Sequence, residues 1–376
     1  MARFVVHIGD GKCGSTAIQS SLYQSRASLA EQGILFETLT PSSGHTVIPL
    51  LLGLRSRVED PARLDLARGI LELLRSKSEQ YEWIVLSAEN LINLDPAELP
   101  QLLSWVSPKA DDVHAIAYVR EPSAMYLSSV QQILKGNHHY VRPENYLRRV
   151  DRKIMQWHDQ MGADNFTLRL FDRTALVAGD AVSDFSAYLS RLTGRTIDLV
   201  NQQSNSSMTA EQMQVMQRYR RQVLKNAAGT VVGRSTLLAR MFSEMNDIRR
   251  IGHQPQLTEQ AEAVVGQANR PVVEALNARF PSLAMPVVGH GAGPSDAPYP
   301  WTSTKLVSAI LRSCDEDIVE QICAVLPDLN DGQILTGRAF EDFMADMYGC
   351  SRMEVAPLCD VHAHYLKRLR KCPPVP

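Results

Sequence analysis

The sequence predicts an α/β fold: a mostly parallel sheet flanked by helices, followed by a C-terminal helical segment. Three observations predict it. Short runs rich in Val, Ile and Phe alternate with stretches whose apolar residues recur every three or four positions, the pattern of strand and helix in turn. The first such run leads directly into a cluster of glycines and then into helical spacing. From Thr209 onward the pattern is helical alone, broken by one Pro- and Gly-rich stretch.

Taken in order, Arg3 to Ile8 reads as a buried strand and Ser15 to Leu29 as the helix after the glycines. Ala62 to Ser76 has helical spacing. A second strand is expected at Trp83 to Ser87 (WIVLS) and a third at Val113 to Val119 (VHAIAYV), with a helix at Ser123 to Leu134. Pro143 to Met161 is expected to be helical, Phe166 to Phe171 the fourth strand, and Ala181 to Leu192 a further helix. Thr209 with Glu211 opens a helix through Lys225, and Thr258 with Glu262 opens another. VVGHGAGPSDAPYP, residues 287–300, has turn formers without periodicity and reads as a linker between a domain at 1–286 and a helical segment at 301–376. That segment should hold four short amphipathic helices, at Ser303 to Cys314, Glu316 to Leu326, Arg338 to Tyr348 and Met353 to Leu369.

Composition excludes several classes. With 376 residues, 44% of them hydrophobic and 21% charged, the chain is neither disordered nor fibrous and can form a sizeable core. A formal charge of −2 offers no global attraction to nucleic acid or to an anionic membrane, so an anion site must be built locally. No run approaches the ~18 apolar residues of a spanning helix, and the apolar start is too short for a signal-peptide core. A cytoplasmic protein with no membrane span and no nucleic-acid partner is expected. Cys350, Cys359, His362, His364 and Cys372 fit no zinc spacing, so free thiols and no metal are expected.

The chemistry concentrates after the first strand, in Gly9-Asp10-Gly11-Lys12-Cys13-Gly14-Ser15-Thr16. Glycines let backbone N–H groups turn inward, the helix N-terminus adds about half a positive charge, and Lys12 adds a full one. The natural occupant is a phosphate. The bland alternative is a tight turn with Lys12 solvated and Ser15 and Thr16 only capping the helix. A Walker loop carries its lysine directly after the last glycine, whereas here Gly14 is followed by Ser15 and the lysine lies two residues upstream. HIGDGKCGSTAIQ instead resembles the 5′-phosphosulfate loop of sulfotransferases that use 3′-phosphoadenosine 5′-phosphosulfate (PAPS), whose bacterial members often read HIGxxKTGTTxxQ. His7, Gly9, Lys12, Gly14, Thr16 and Gln19 carry the match; Cys13 and Ser15 replace threonines and keep the side chains small.

A second segment resembles the same family. Tyr118-Val119-Arg120-Glu121-Pro122 ends the third strand, and Ser128 follows Arg120 by eight residues, the family's interval for its 3′-phosphate site. Arg120 offers a planar fork of donors and Ser128 a hydroxyl. The resemblance covers roughly residues 1–285. It implies a P-loop-like sulfotransferase fold, PAPS as co-substrate, adenosine 3′,5′-bisphosphate as product, and a hydroxyl or amine acceptor, for which a saccharide or glycoconjugate is the expectation. Lys12 would serve the leaving phosphate, with the loop from Gly9 and Gly11 through Cys13, Gly14, Ser15 and Thr16 on the nucleotide. The family's base is commonly glutamate or histidine. Glu89, after the WIVLS strand in Ser87-Ala88-Glu89, matches a Ser-Ser-Glu of many bacterial members with one hydroxyl missing. His45 is the runner-up base or an acceptor-binding residue, and His7 a packed strand residue. The rivals are a P-loop kinase or nucleotide hydrolase using ATP and Mg²⁺, and a non-catalytic scaffold of the same fold. A homo-oligomer is compatible with the sequence.

Overall fold

The computed structural model describes residues 2–39, 44–54, 61–107, 110–201, 207–222, 238, 242, 252–288 and 298–324. The chain divides into two compact units, the first made of residues 1–122, 148–204 and 269–287, the second of 123–147, 205–268 and 288–376.

The first unit is built on five parallel strands, β1 (Ala2–Gly9), β2 (Ile34–Leu35), β3 (Trp83–Ala88), β4 (Ala110–Val119) and β5 (Phe166–Leu170), in the order β2-β3-β1-β4-β5. Its helices are α1 (Ser15–Gln24), α2 (Arg26–Glu31), α3 (Pro61–Lys77), α4 (Leu99–Val106), α6 (Val150–Met161) and α7 (Ala181–Thr193). The α/β expectation is met. Every residue of β3 is buried, as a strand covered on both faces requires.

Alternation along β1 sorts the two faces. Phe4, Val6 and Ile8 join Ile84, Leu86, Ala115 and Ala117 in a core that α3, α4 and α6 close with Ile70, Leu74, Leu102, Leu103, Ile154 and Trp157. Val5 and His7 face the other way, where the His7 ring lies edge-on to Tyr118 and beside Phe185 of α7, and α1 packs with α7. This second layer is partly polar. Tyr118 donates to Asp184 Oδ2 at 2.9 Å, Arg169 forks onto the same carboxylate, and the Val177 N–H adds 3.2 Å. A fully buried carboxylate is thereby saturated with donors, the condition for tolerating it there.

Several boundaries differ from the sequence reading. The first helix breaks at Ser25 into α1 and α2. β2 is only two residues long and carries no periodic signal, and α4 was not expected. Pro143 to Asn145 forms a 3-10 turn and the helix starts only at Val150, because the intervening chain is extended rather than helical.

In the second unit, α5 (Pro122–Leu134) and α8 (Ala210–Gln222) stand out. Thr209 and Gln212 form a reciprocal cap, with the Thr209 N–H donating to Gln212 Oε1 at 3.0 Å and the Gln212 N–H to Thr209 Oγ1 at 3.2 Å. The buried Gln217 amide donates to the carbonyls of His138 and Lys305 and accepts from the Val307 N–H. Ser303 to Cys314 is not one helix: a short helix Pro300–Thr304 and a 3-10 turn Val307–Ile310 precede a bridge from Leu311 to Leu257, and Glu316–Ala324 is helical. The helix Glu259–Arg279 runs from this unit into the first. The helices expected at 338–348 and 353–369, the residues 202–206, the cysteines and histidines from Cys350 on, and most of the linker lie outside the described residues.

Candidate functional site

Parallel strands deliver their carboxyl ends to one edge. Ile8 pairs with Ala88 and Gly9 with Tyr118, so the glycine loop, Glu89 and Arg120 all leave the sheet at neighbouring positions. A ligand of an open α/β sheet collects at such an edge. Gly9 is required for the approach: a Cβ there would lie 2.6 Å from the Glu89 Cα. Gly14 caps α1 at φ +80°, and a Cβ on it would meet Ala181 and Phe171 at 2.8 Å. No side chain caps α1, so its first N–H groups remain open to an anion.

Lys12 is exposed and sits at φ +68°, a conformation uncommon for a side-chain-bearing residue. Arg120 holds the turn there, donating to the Lys12 carbonyl at 3.3 Å while its guanidinium lies 5.4 Å from the Phe171 ring. Cys13 is buried, and burial foremost, with Asp10 nearby, pushes its thiol well above the usual range. It packs under the loop as a small apolar residue. Ser15 Oγ donates to Glu89 Oε2 at 2.9 Å, tying the start of α1 to the end of β3. Ser128 lies on α5, part-buried, in the second unit.

Beside the loop is a cavity of about 530 Å³. Gly11, Thr16 and Glu89 line it; Lys12, Cys13, Gly14, Ser15, Arg120 and His45 do not. The loop thus has two aspects, one toward the cavity and one carrying Lys12 and Arg120. Asp10, Asn90, Asn93, Arg148, Arg149 and Lys153 complete the polar lining with Gln19 and Thr46. Of these, the sequence motif includes Asp10 and Gln19; it gives no sign of Arg148, Arg149 and Lys153, because α6 meets β4 and the 89–93 turn only through the fold. Arg148 forks onto the buried Asp10 carboxylate at 2.9 and 2.5 Å. Arg149 forks onto Asp151 at 3.0 and 2.8 Å. Lys153 donates to Asn93 Oδ1.

His45 stands apart from the expectation that it is a base or touches the acceptor. The Ser87 N–H donates to its Nδ1 at 2.9 Å, which puts the ring proton on Nε2, and Nε2 donates to the Glu37 carbonyl at 2.9 Å. Both nitrogens are spent on backbone, and burial lowers the ring's affinity for a proton to about 4. His45 pins the 44–48 loop to β3. His7 is buried as expected, 2.8 Å from Ser87 Oγ, and burial lowers it to about 3.

Among the described residues no group of three or more His, Cys, Asp or Glu side chains could hold a metal ion, and no helix is long and apolar enough to cross a membrane. No family model matches the chain, and no curated protein does. Among solved structures it is similar to Signal Recognition Particle 54 kDa protein from Aeropyrum pernix K1 in complex with GDP, at 13% identity over 99% of this chain and 78% of that one, with a TM-score of 0.22. At that score the likeness carries no argument.

Proposed function

We propose that the protein is a sulfotransferase that moves a sulfuryl group from PAPS to a hydroxyl or amine of an acceptor, a saccharide or glycoconjugate being the class favoured. The observation that carries this reading is the loop itself: a strand-to-helix turn with its lysine before the glycine, and a carboxylate, Glu89, held against it on the cavity side. In this reading Lys12 and Arg120 serve the nucleotide, Arg120 on the 3′-phosphate, and the cavity receives the acceptor. The acceptor oxygen or nitrogen attacks sulfur, its proton passes to Glu89, and the bond from sulfur to the bridging oxygen breaks with its electron pair on that oxygen. Charge then grows on the departing 5′-phosphate. The Lys12 ammonium and the open N–H groups of α1 counter it. Ser15 orients the Glu89 carboxylate and leaves its second oxygen for the proton.

The discriminating experiment is thermal unfolding with adenosine 3′,5′-bisphosphate or with ATP and Mg²⁺. At about 100 times its Kd a ligand adds roughly 2.7 kcal/mol to the native state. Stabilisation by the bisphosphate without metal is expected; stabilisation by ATP with Mg²⁺ alone replaces this reading with a kinase. Glu89→Gln should bind the bisphosphate as wild type does and lose transfer by roughly 10²- to 10⁴-fold.

A further inference from the structure

The cavity wall opposite in origin to the glycine loop is contributed by α6 and the chain leading into it, and it is cationic. Arg148, Arg149 and Lys153 line the cavity against two lining carboxylates, Asp10 and Glu89. The three cations are not equivalent. Arg148 is committed to the buried Asp10, and Arg149 to Asp151. Lys153 is half-buried, and its partner, Asn93 Oδ1, is neutral. Its ammonium meets a neutral amide and solvent rather than a carboxylate, so it brings an unneutralised charge to the cavity, and an anion there completes its shell.

Its place relative to the proposed base is fixed by the chain. Asn93 closes the 3-10 turn that Glu89 opens, Glu89–Asn93, and four steps at about 2 Å rise put their backbones roughly 8 Å apart along it. Lys153 stands in the first turn of α6, where Arg149 answers the Asp151 carboxylate and so leaves the Lys153 charge unopposed on that helix.

We propose that the acceptor is anionic, carrying a carboxylate or sulfate that Lys153 binds while a hydroxyl or amine of the same molecule is presented to Glu89. This rests on the sulfotransferase reading of the site. Lys153 is then a specificity residue: it selects acidic over neutral acceptors and does not enter the transfer itself.

The test uses the full chain saturated with adenosine 3′,5′-bisphosphate, so that an anion cannot simply occupy the nucleotide site. Calorimetry measures binding of three probes of equal length: a hyaluronan hexasaccharide, with carboxylates only; a heparin hexasaccharide, with sulfates as well; and neutral maltohexaose. At least one acidic probe should bind at least tenfold more tightly than maltohexaose, and which of the two does so identifies the anionic group. Lys153→Gln should lose roughly tenfold of that binding, and Lys153→Arg should keep most of it. Bisphosphate affinity within about twofold of wild type shows that the variants are folded. Equal binding of acidic and neutral probes, no binding of either acidic probe, or acidic binding unchanged in Lys153→Gln overturns the proposal while the sulfotransferase reading stands. Failure of the bisphosphate itself to bind overturns both.

Discussion

Acidification should destabilise this fold through two histidines that it holds neutral. Burial lowers His45 to about 4 and His7 to about 3, against an ordinary value of 6.5. The unfolded chain therefore binds these protons more readily than the folded one, and the stability is complete above about pH 6.5 and lost as the pH falls below it. Each unfavourable proton costs up to about 1.4 kcal/mol per pH unit once the unfolded histidine is mostly protonated, so the pair removes about 3 kcal/mol between pH 6.5 and 5. That is a large share of the 5–15 kcal/mol typical of a domain. The loss from His45 ends near pH 4 and that from His7 near pH 3. His45→Gln isolates one contribution: glutamine can accept from the Ser87 N–H and donate to the Glu37 carbonyl, yet takes up no proton. Urea titrations at half-unit steps from pH 7 to 5 should show the variant's stability falling less steeply than wild type by about 1 kcal/mol per unit on average. Equal slopes, or an NMR titration of His45 near 6.5, would refute the closed ring and return His45 to the candidates for the base.

Other perturbations separate loop, clamp and nucleotide. Gly9→Ala should cut transfer and lower the melting temperature, since its Cβ would press to 2.6 Å from the Glu89 Cα; a variant with wild-type kinetics contradicts the tight approach. Arg148→Ala strands the buried Asp10 carboxylate and should cost about 2 kcal/mol, less than a fully buried pair because the guanidinium is part-exposed, and Asp10→Asn in the same chain should recover most of it in denaturant titrations. Arg120→Ala should weaken adenosine 3′,5′-bisphosphate by roughly 10- to 100-fold and adenosine 5′-phosphosulfate much less; equal losses would assign Arg120 only to the Lys12 carbonyl it already holds.

The sheet was legible because buried parallel strands leave continuous apolar runs. FVVHI, WIVLS and VHAIAYV needed no partner to be recognised, and their helices carry the 3.6-residue period. β2 was not, since two residues have no period, and its strand character comes from pairing Ile34 and Leu35 with Trp83 and Ile84. The expected helix from Pro143 failed because apolar spacing says nothing about where capping and local geometry let a helix begin. The interleaving of the two units has no sequence mark either: the chain crosses near the first residue of α5 and inside the helix Glu259–Arg279, not at a turn-rich linker.

At the site, the residues that could be read were those bound to a local pattern. Gly9, Lys12, Gly14 and Ser15 belong to one loop, and Glu89 follows a strand whose register with β1 carries it to the same edge. Arg148 and Lys153 have no local pattern. They become part of the cavity only because α6 packs Ile154 and Trp157 into the core beside β1 and β4, which turns the helix start toward Asp10 and Asn93. An isolated arginine in sequence reads as solvated surface; a buried Asp10 gives it a partner and a fixed direction. On the proposed reading, the motif reports on the donor's half of the chemistry. On the same reading, selectivity for the acceptor lies in the packing of α6, and substitutions there should change which molecules are used without changing how the nucleotide is held.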